Sequence, residues 1–285
     1  MIENHFDIGG AVVWTPSDAT NRLKLHSAFA SLNLESFVPE QRPPASILKD
    51  ALEECLGGSR VLIRPLSDRD GFTVVREDRG KFGNTYLTML VARVSDDSIP
   101  TLKIEPFDER TAVIEQVYHQ HESRIPATQL SSCLVRIVES LGGTRLRPTG
   151  AVYWIPGPKL DEWNQIAHAV EQCAEGKPSA VYLLRHRLDG DAIRAVRDAL
   201  VTEVQGEAKR IQEEVLSGDL GSRALETRKK QAGELRDKVL LYEDLLSVAL
   251  SDLHEVIDEA DQSAATAAIL LGSSHHHPAL VGVSE

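Results

Sequence analysis

Cysteine is scarce and scattered: the 285 residues hold three, Cys55, Cys133 and Cys173, with no CxxC pair. Such spacing excludes a disulfide framework and a thiolate zinc site, and predicts a reducing, cytoplasmic setting. Long apolar runs are missing as well. No stretch approaches the roughly 18 apolar residues of a membrane helix, and the opening residues carry Glu3 and Asp7 where a signal peptide needs cations. The chain is expected to be soluble, not exported, and without a membrane partner. Phosphate-cradling GxGxxG and GxxxxGKS/T loops do not occur, nor does the GxSxG turn of serine hydrolases. Neither a cofactor nor a metal is expected. Positive charge is also in deficit, with 31 Lys and Arg against 43 Asp and Glu, a net charge of −12. Residues 1–187 carry 21 basic and 24 acidic side chains, whereas residues 188–285 carry 10 and 19. The C-terminal part therefore repels phosphate backbones and anionic headgroups.

What is present is a long apolar seam. Ala232, Leu235, Val239, Tyr242, Leu246, Ala249, Leu253, Val256 and Ala260 recur at alternating spacings of three and four. Charged residues such as Glu234, Arg236, Asp237, Lys238, Glu243 and Asp244 fill the positions between, which is a coiled-coil pattern. Upstream, Ile193, Val196, Leu200, Val204, Ala208, Ile211 and Val215 form a second stripe. Ser217-Gly218-Asp219-Leu220-Gly221-Ser222 interrupts the two with paired glycines and a capping serine. The expectation is a long antiparallel helical hairpin, its arms roughly 39 Å and 58 Å at 1.5 Å per residue. The longer arm would leave Leu235, Val239, Tyr242, Leu246, Leu253 and Val256 as an apolar partner interface, within or between chains. Beyond Asp261, small residues and His275-His276-His277 predict a disordered tail.

The first 188 residues read differently. Gly10-Ala11-Val12-Val13-Trp14-Thr15-Pro16 matches Gly150-Ala151-Val152-Tyr153-Trp154-Ile155-Pro156. Pro44-Ala45-Ser46 opens a helix that ends at Gly57-Gly58, and Pro126-Ala127-Thr128 opens one that ends at Gly142-Gly143. These echoes predict an internal duplication. Strands are expected at 61–63, 72–75, 86–94, 102–104, 152–155 and 181–184, with Asp70-Gly71 and Gly83-Asn84 as hairpin turns. Helices are expected near 18–32, 45–56, 107–123, 127–141 and 159–174. The fold class is therefore α+β, a mixed or antiparallel sheet with packed helices over 1–188, then the hairpin over 189–260 and the tail over 261–285.

Several clusters invite a chemical reading. His119 and His121 sit two apart, on opposite sides of a helix, so they cannot share a metal as an i, i+4 pair does. Gly57-Gly58-Ser59 and Gly142-Gly143-Thr144 follow helices instead of opening them, and so read as C-caps, not phosphate loops. Cys133 falls inside an amphipathic helix as a structural thiol. Arg64, Arg69, Arg76, Arg79 and Lys81 gather on the hairpin with Phe72, Phe82 and Tyr86, as in single-stranded nucleic-acid platforms, although Asp68, Asp70, Glu77 and Asp78 cancel most of that charge. His186, Asp189 and Asp191 form a polar junction where strand meets helix, and a capping turn with a salt bridge explains the same residues. Trp14 and Trp154, at equivalent repeat positions, read as strand-end core, or as walls of a shared groove.

Gly150–Pro156 and Ala192-Ile193-Arg194-Ala195-Val196-Arg197-Asp198-Ala199-Leu200 resemble segments of uncharacterised proteins encoded in bacterial and phage genomes, over about the last half of the chain. The resemblance implies such a source and transfers no activity or site residue. Three functions remain open. The first is a non-enzymatic interaction or scaffold protein that self-associates, as a homo-oligomer, or docks a partner protein through the seam. The second is a single-stranded nucleic-acid-associated protein using the arginine hairpin. The third is an enzyme whose site is assembled from residues distant in sequence.

Overall fold

The computed structural model describes residues 9–68, 70–80, 83–95, 97, 100–107, 109–147, 150–186, 190–217, 220–246 and 250–274. In chain order the elements are β1 (Gly9–Thr15), β2 (Thr20–Asn21), α1 (Arg22–Ala30), α2 (Pro44–Leu56), β3 (Val61–Pro65), β4 (Gly71–Gly80), β5 (Gly83–Val94), β6 (Leu102–Glu105) and α3 (Glu109–Glu122). They continue with β7 (Arg124–Ile125), α4 (Ala127–Ser140), β8 (Thr144–Arg145), β9 (Val152–Pro156), α5 (Leu160–Gln172), β10 (Ala180–His186), α6 (Gly190–Leu216), α7 (Ser222–Leu246) and α8 (Ser251–Ser274). The α+β class holds. The chain divides into two compact units, each discontinuous in sequence.

One unit comprises Thr15–Leu134 and Ile166–Val181. Its sheet runs in the order β3-β4-β5-β6, antiparallel throughout. Phe72, Val74, Leu90, Ala92, Val94 and Ile104 bury one face of that sheet beneath Ile47, Leu48, Ala51 and Leu52 of α2 and Ile114 and Tyr118 of α3. Helix α2 starts with Pro44 in its first turn and stops at Gly57, whose N–H donates to Glu53 O at 2.9 Å. Gly71 is required because a Cβ there would lie 2.1 Å from Ala92 O. Two expected turns move. Gly71 opens β4, and Gly83 and Asn84 belong to β5, since Gly80 pairs with Gly83; residues 81 and 82 lie outside the described residues.

The other unit comprises Met1–Trp14, Val135–Gln165 and Tyr182–Glu285. Its sheet runs β10-β1-β9-β8. The two echoing phrases lie side by side here, with Gly10 opposite Ile155, Ala11 opposite Trp154 and Val12 opposite Tyr153. Trp14 stacks on Tyr153 at 5.2 Å and meets Trp163 at 5.8 Å, both centroid to centroid. Trp154 faces the other side of the sheet, by the alternation of strand side chains, and joins the core of the C-terminal helices. The two tryptophans are therefore core residues that line no common groove.

The C-terminal region is the largest departure from expectation. The second arm does not run on to residue 260. It ends at Leu246, and α8 begins at Ser251 and continues to Ser274, through part of the expected tail. His275–His277 lie outside the described residues. Cross-helix pairs show the directions of the three helices. Lys238 meets Glu203 and Arg228 meets Glu214, while Arg236 meets Asp258 and Glu243 meets His254. In each pairing residue numbers rise on one helix as they fall on the other, so α6, α7 and α8 form an up-down-up bundle. The reversal between α7 and α8 escapes the periodicity because the spacing of three and four continues in phase across it.

Candidate functional site

The six seam residues lie inside this bundle. Val239 and Tyr242 are fully buried, and Leu235, Leu246 and Leu253 nearly so. They pack with Val196, Leu200, Val204, Ala208 and Ile211 of α6 and Ile257, Ala260 and Ala264 of α8, while Val256 is half-buried at the margin. The Tyr242 hydroxyl donates to Gly142 O at 3.0 Å, and burial pushes the phenol well above its ordinary range. A fold-back of the same chain thus covers the stripe expected to face a partner.

The polar junction is only partly visible. Asp191 lies one residue inside the first turn of α6, exposed, and accepts from Arg194 Nη2 at 2.9 Å. Asp189 and the side chain of His186 lie outside the described residues. His119 meets Glu122 at 3.0 Å and His121 meets Glu54 at 2.9 Å, so the two rings serve different partners. Among the described residues, no group of His, Cys, Asp and Glu is placed to hold a metal ion, and no helix is long and apolar enough to cross a membrane. Cys55, Cys133 and Cys173 form no disulfide.

An open cleft of about 1440 Å³ is lined by residues of β8, β9, α6 and α7. Lys238 reaches into it, and its Nζ donates to Glu203 Oε1 at 2.6 Å and Gly143 O at 2.7 Å. Arg145 lies 5.3 Å over the Tyr153 ring and donates to the phenol oxygen at 2.7 Å. Partial burial, then the charge of Glu203, raise the Glu139 carboxyl above its ordinary value. Lys238 is matched by Glu203, and over the whole lining the carboxylates of Glu139, Asp198, Glu203, Glu207, Glu234 and Asp237 outnumber the cations of Arg145, Arg147, Lys159 and Lys238.

The arginine hairpin contains the more informative geometry. Arg76 pairs with Asp78 at 3.2 Å and Arg79 with Glu77 at 3.0 Å, so strand β4 spends its positive charge on itself. Arg64 is exposed on β3, and Arg69 and Lys81 lie outside the described residues. Glu77 is 9% exposed and accepts from Arg79 and from Asn84 Nδ2 at 2.7 Å, with the Tyr86 hydroxyl 3.5 Å away.

The neighbouring strand is different. β3 covers β4 as far as the Val61–Arg76 pair, and β6 covers β5 between Val91 and Val94. Among the described residues, no strand lies beside Gly83–Leu90 on the side away from β4. The N–H of Glu77 donates to Arg60 O at 2.7 Å, so it points away from β5. Its cross-strand partner Tyr86 must then turn its own N–H and C=O outward, because opposed residues of an antiparallel pair alternate between bonding each other and bonding away. By the same alternation Asn84 and Thr88 also present N–H and C=O to the open edge.

Edges of this kind are ordinarily guarded by charge or proline. β3 carries Arg64 and Pro65, β6 carries Lys103 and Glu105, and β10 carries Arg185. The run Gly83-Asn84-Thr85-Tyr86-Leu87-Thr88-Met89-Leu90 has neither, and Tyr86 and Leu87 are 59% and 56% exposed. The sequence reading missed this site, although a signal existed. Residues 82–92 contain no charged residue in a chain that is 26% charged.

A family profile matches residues 7–272. The chain therefore belongs to DUF6744, a family of unknown function. No curated protein and no solved structure matches it.

Proposed function

We propose that this protein is a non-enzymatic interaction protein, and that it docks a protein partner through the β4–β5 ribbon. The open, uncharged edge of β5 carries this reading. Main-chain groups of Asn84, Tyr86 and Thr88 offer a ready ladder to an added strand, and the exposed faces of Tyr86 and Leu87 supply apolar contact beside it. Each hydrogen bond exchanged with water contributes a net of about 0.5–1.5 kcal/mol, so a short ladder supports reversible association. The bundle plays the supporting part, with its apolar stripe already covered. Three unbridged thiols fit work in a reducing cytoplasm.

Site-specific photo-crosslinking in the producing cell tests this. A benzoylphenylalanine at position 86 is expected to yield a protein adduct that disappears on Thr88→Pro, which removes an outward donor while sparing the ladder to β4. The same probe at Leu240, an exposed position on α7, is the control. No adduct at 86, an equal adduct at 240, or an adduct indifferent to Thr88→Pro overturns the proposal.

A further inference from the structure

We infer that the strand received by β5 is β5 of a second copy, paired antiparallel across a two-fold axis at Tyr86. This rests on reading the ribbon as the docking element and names what docks there.

Three observations select the copy over an unrelated partner. The first is charge. At a net −12, two copies repel over most of their surfaces. Gly83–Leu90 contributes no charge to that repulsion, and the charges behind it are matched within each ribbon, Arg76 to Asp78 and Arg79 to Glu77. The second is pattern. Asn84, Tyr86 and Thr88 are evenly spaced about Tyr86, so rotating the strand by a half-turn sets Asn84 against the copy's Thr88 and Tyr86 against the copy's Tyr86. All three outward N–H and C=O pairs are then satisfied at once, six hydrogen bonds in a closed isologous contact. The third is side-chain fit. That register places the two Tyr86 rings next to each other on one face, and Leu87 beside the copy's Thr85 on the other. It brings together uncharged groups only. A foreign strand would find on β5 no charge by which to be distinguished from others.

The self-pairing at position 86 makes the inference testable on the full chain. Sedimentation equilibrium at micromolar concentrations should show wild-type protein approaching twice 31.3 kDa. Tyr86→Lys and Tyr86→Glu should each sediment as single chains, with association weakened at least tenfold and circular dichroism unchanged. Each places like charges on the axis. Mixing the two variants should restore the double mass, because Lys then faces Glu. A single-chain mass for wild type overturns the inference, as does either variant remaining double, or a mixture that fails to recover. The two proposals fail separately. A crosslink from position 86 to a different protein, with wild type sedimenting as one chain, would leave the docking function standing and remove the copy as its occupant.

Discussion

The C-terminal helices and the β4–β5 ribbon both offer surface that ought to be covered, and they end in opposite states. In the bundle the unsatisfied feature is a stripe of apolar side chains, and three long helices joined by short loops supply one another's cover. In the ribbon it is a row of main-chain donors and acceptors, which another extended strand satisfies best, and the described residues place none there. Apolar stripes are forgiving because burial is non-directional. Strand edges demand an aligned partner, so a chain that does not provide one leaves an address for something else.

The sharpest way to break this comparison is to damage the bundle. Leu253→Ala should cost about 2–5 kcal/mol of unfolding free energy, read by urea denaturation, since Leu253 is 1% exposed among large neighbours. A variant of unchanged stability but altered mass would instead return the seam to an intermolecular role. Lys238→Met should cost about 1–3 kcal/mol in the same measurement, because it strips the Glu203 carboxylate of its cation and Gly143 O of its donor.

A smaller effect is expected where α7 meets α8. Glu243 accepts from His254 and from the Leu250 N–H, and these two bonds, the first larger, hold its carboxyl below the ordinary value of 4.5. A depressed carboxyl stabilises the fold fully above its unfolded value and loses that contribution as pH falls through the folded one. Glu243→Gln should therefore lower Tm at pH 7, with parent and variant converging as the solution is acidified below about 4.5. A gap that persists in acid would show that the cap does not work through its charge. The smallest effect belongs to the ribbon. Leu87→Ser should change stability by within about 0.5 kcal/mol, as an exposed site away from core and caps. A large loss there would mean that the ribbon is already covered within the chain.

Much of the framework was legible because local chemistry decides it. Pro44 and Gly57 bound α2, and Gly142 ends the turn after α4 with φ +75°, a conformation glycine adopts without strain. The apolar stripes of α6 and α7 stand where their spacing put them. The reversal after Leu246 was not legible, because the heptad phase passes through it unbroken and the Glu243 cap acts across seven residues to Leu250. Nor was the joining of β1, β9 and β10 to the C-terminal helices, a matter of pairing strands that lie far apart in sequence, as Gly9 and Pro156 do.

By itself the sequence determined helices α1 to α6, the strands from β3 to β6 with β9 and β10, where glycine and proline punctuate them, and which side chains must leave water. Those follow from propensity, capping and periodicity, all of short range. Tertiary structure alone decided what would cover the seam and which edge would stay open. A stripe records the need for a neighbour without naming it, and a strand's unpaired side becomes visible only when its neighbours are in place.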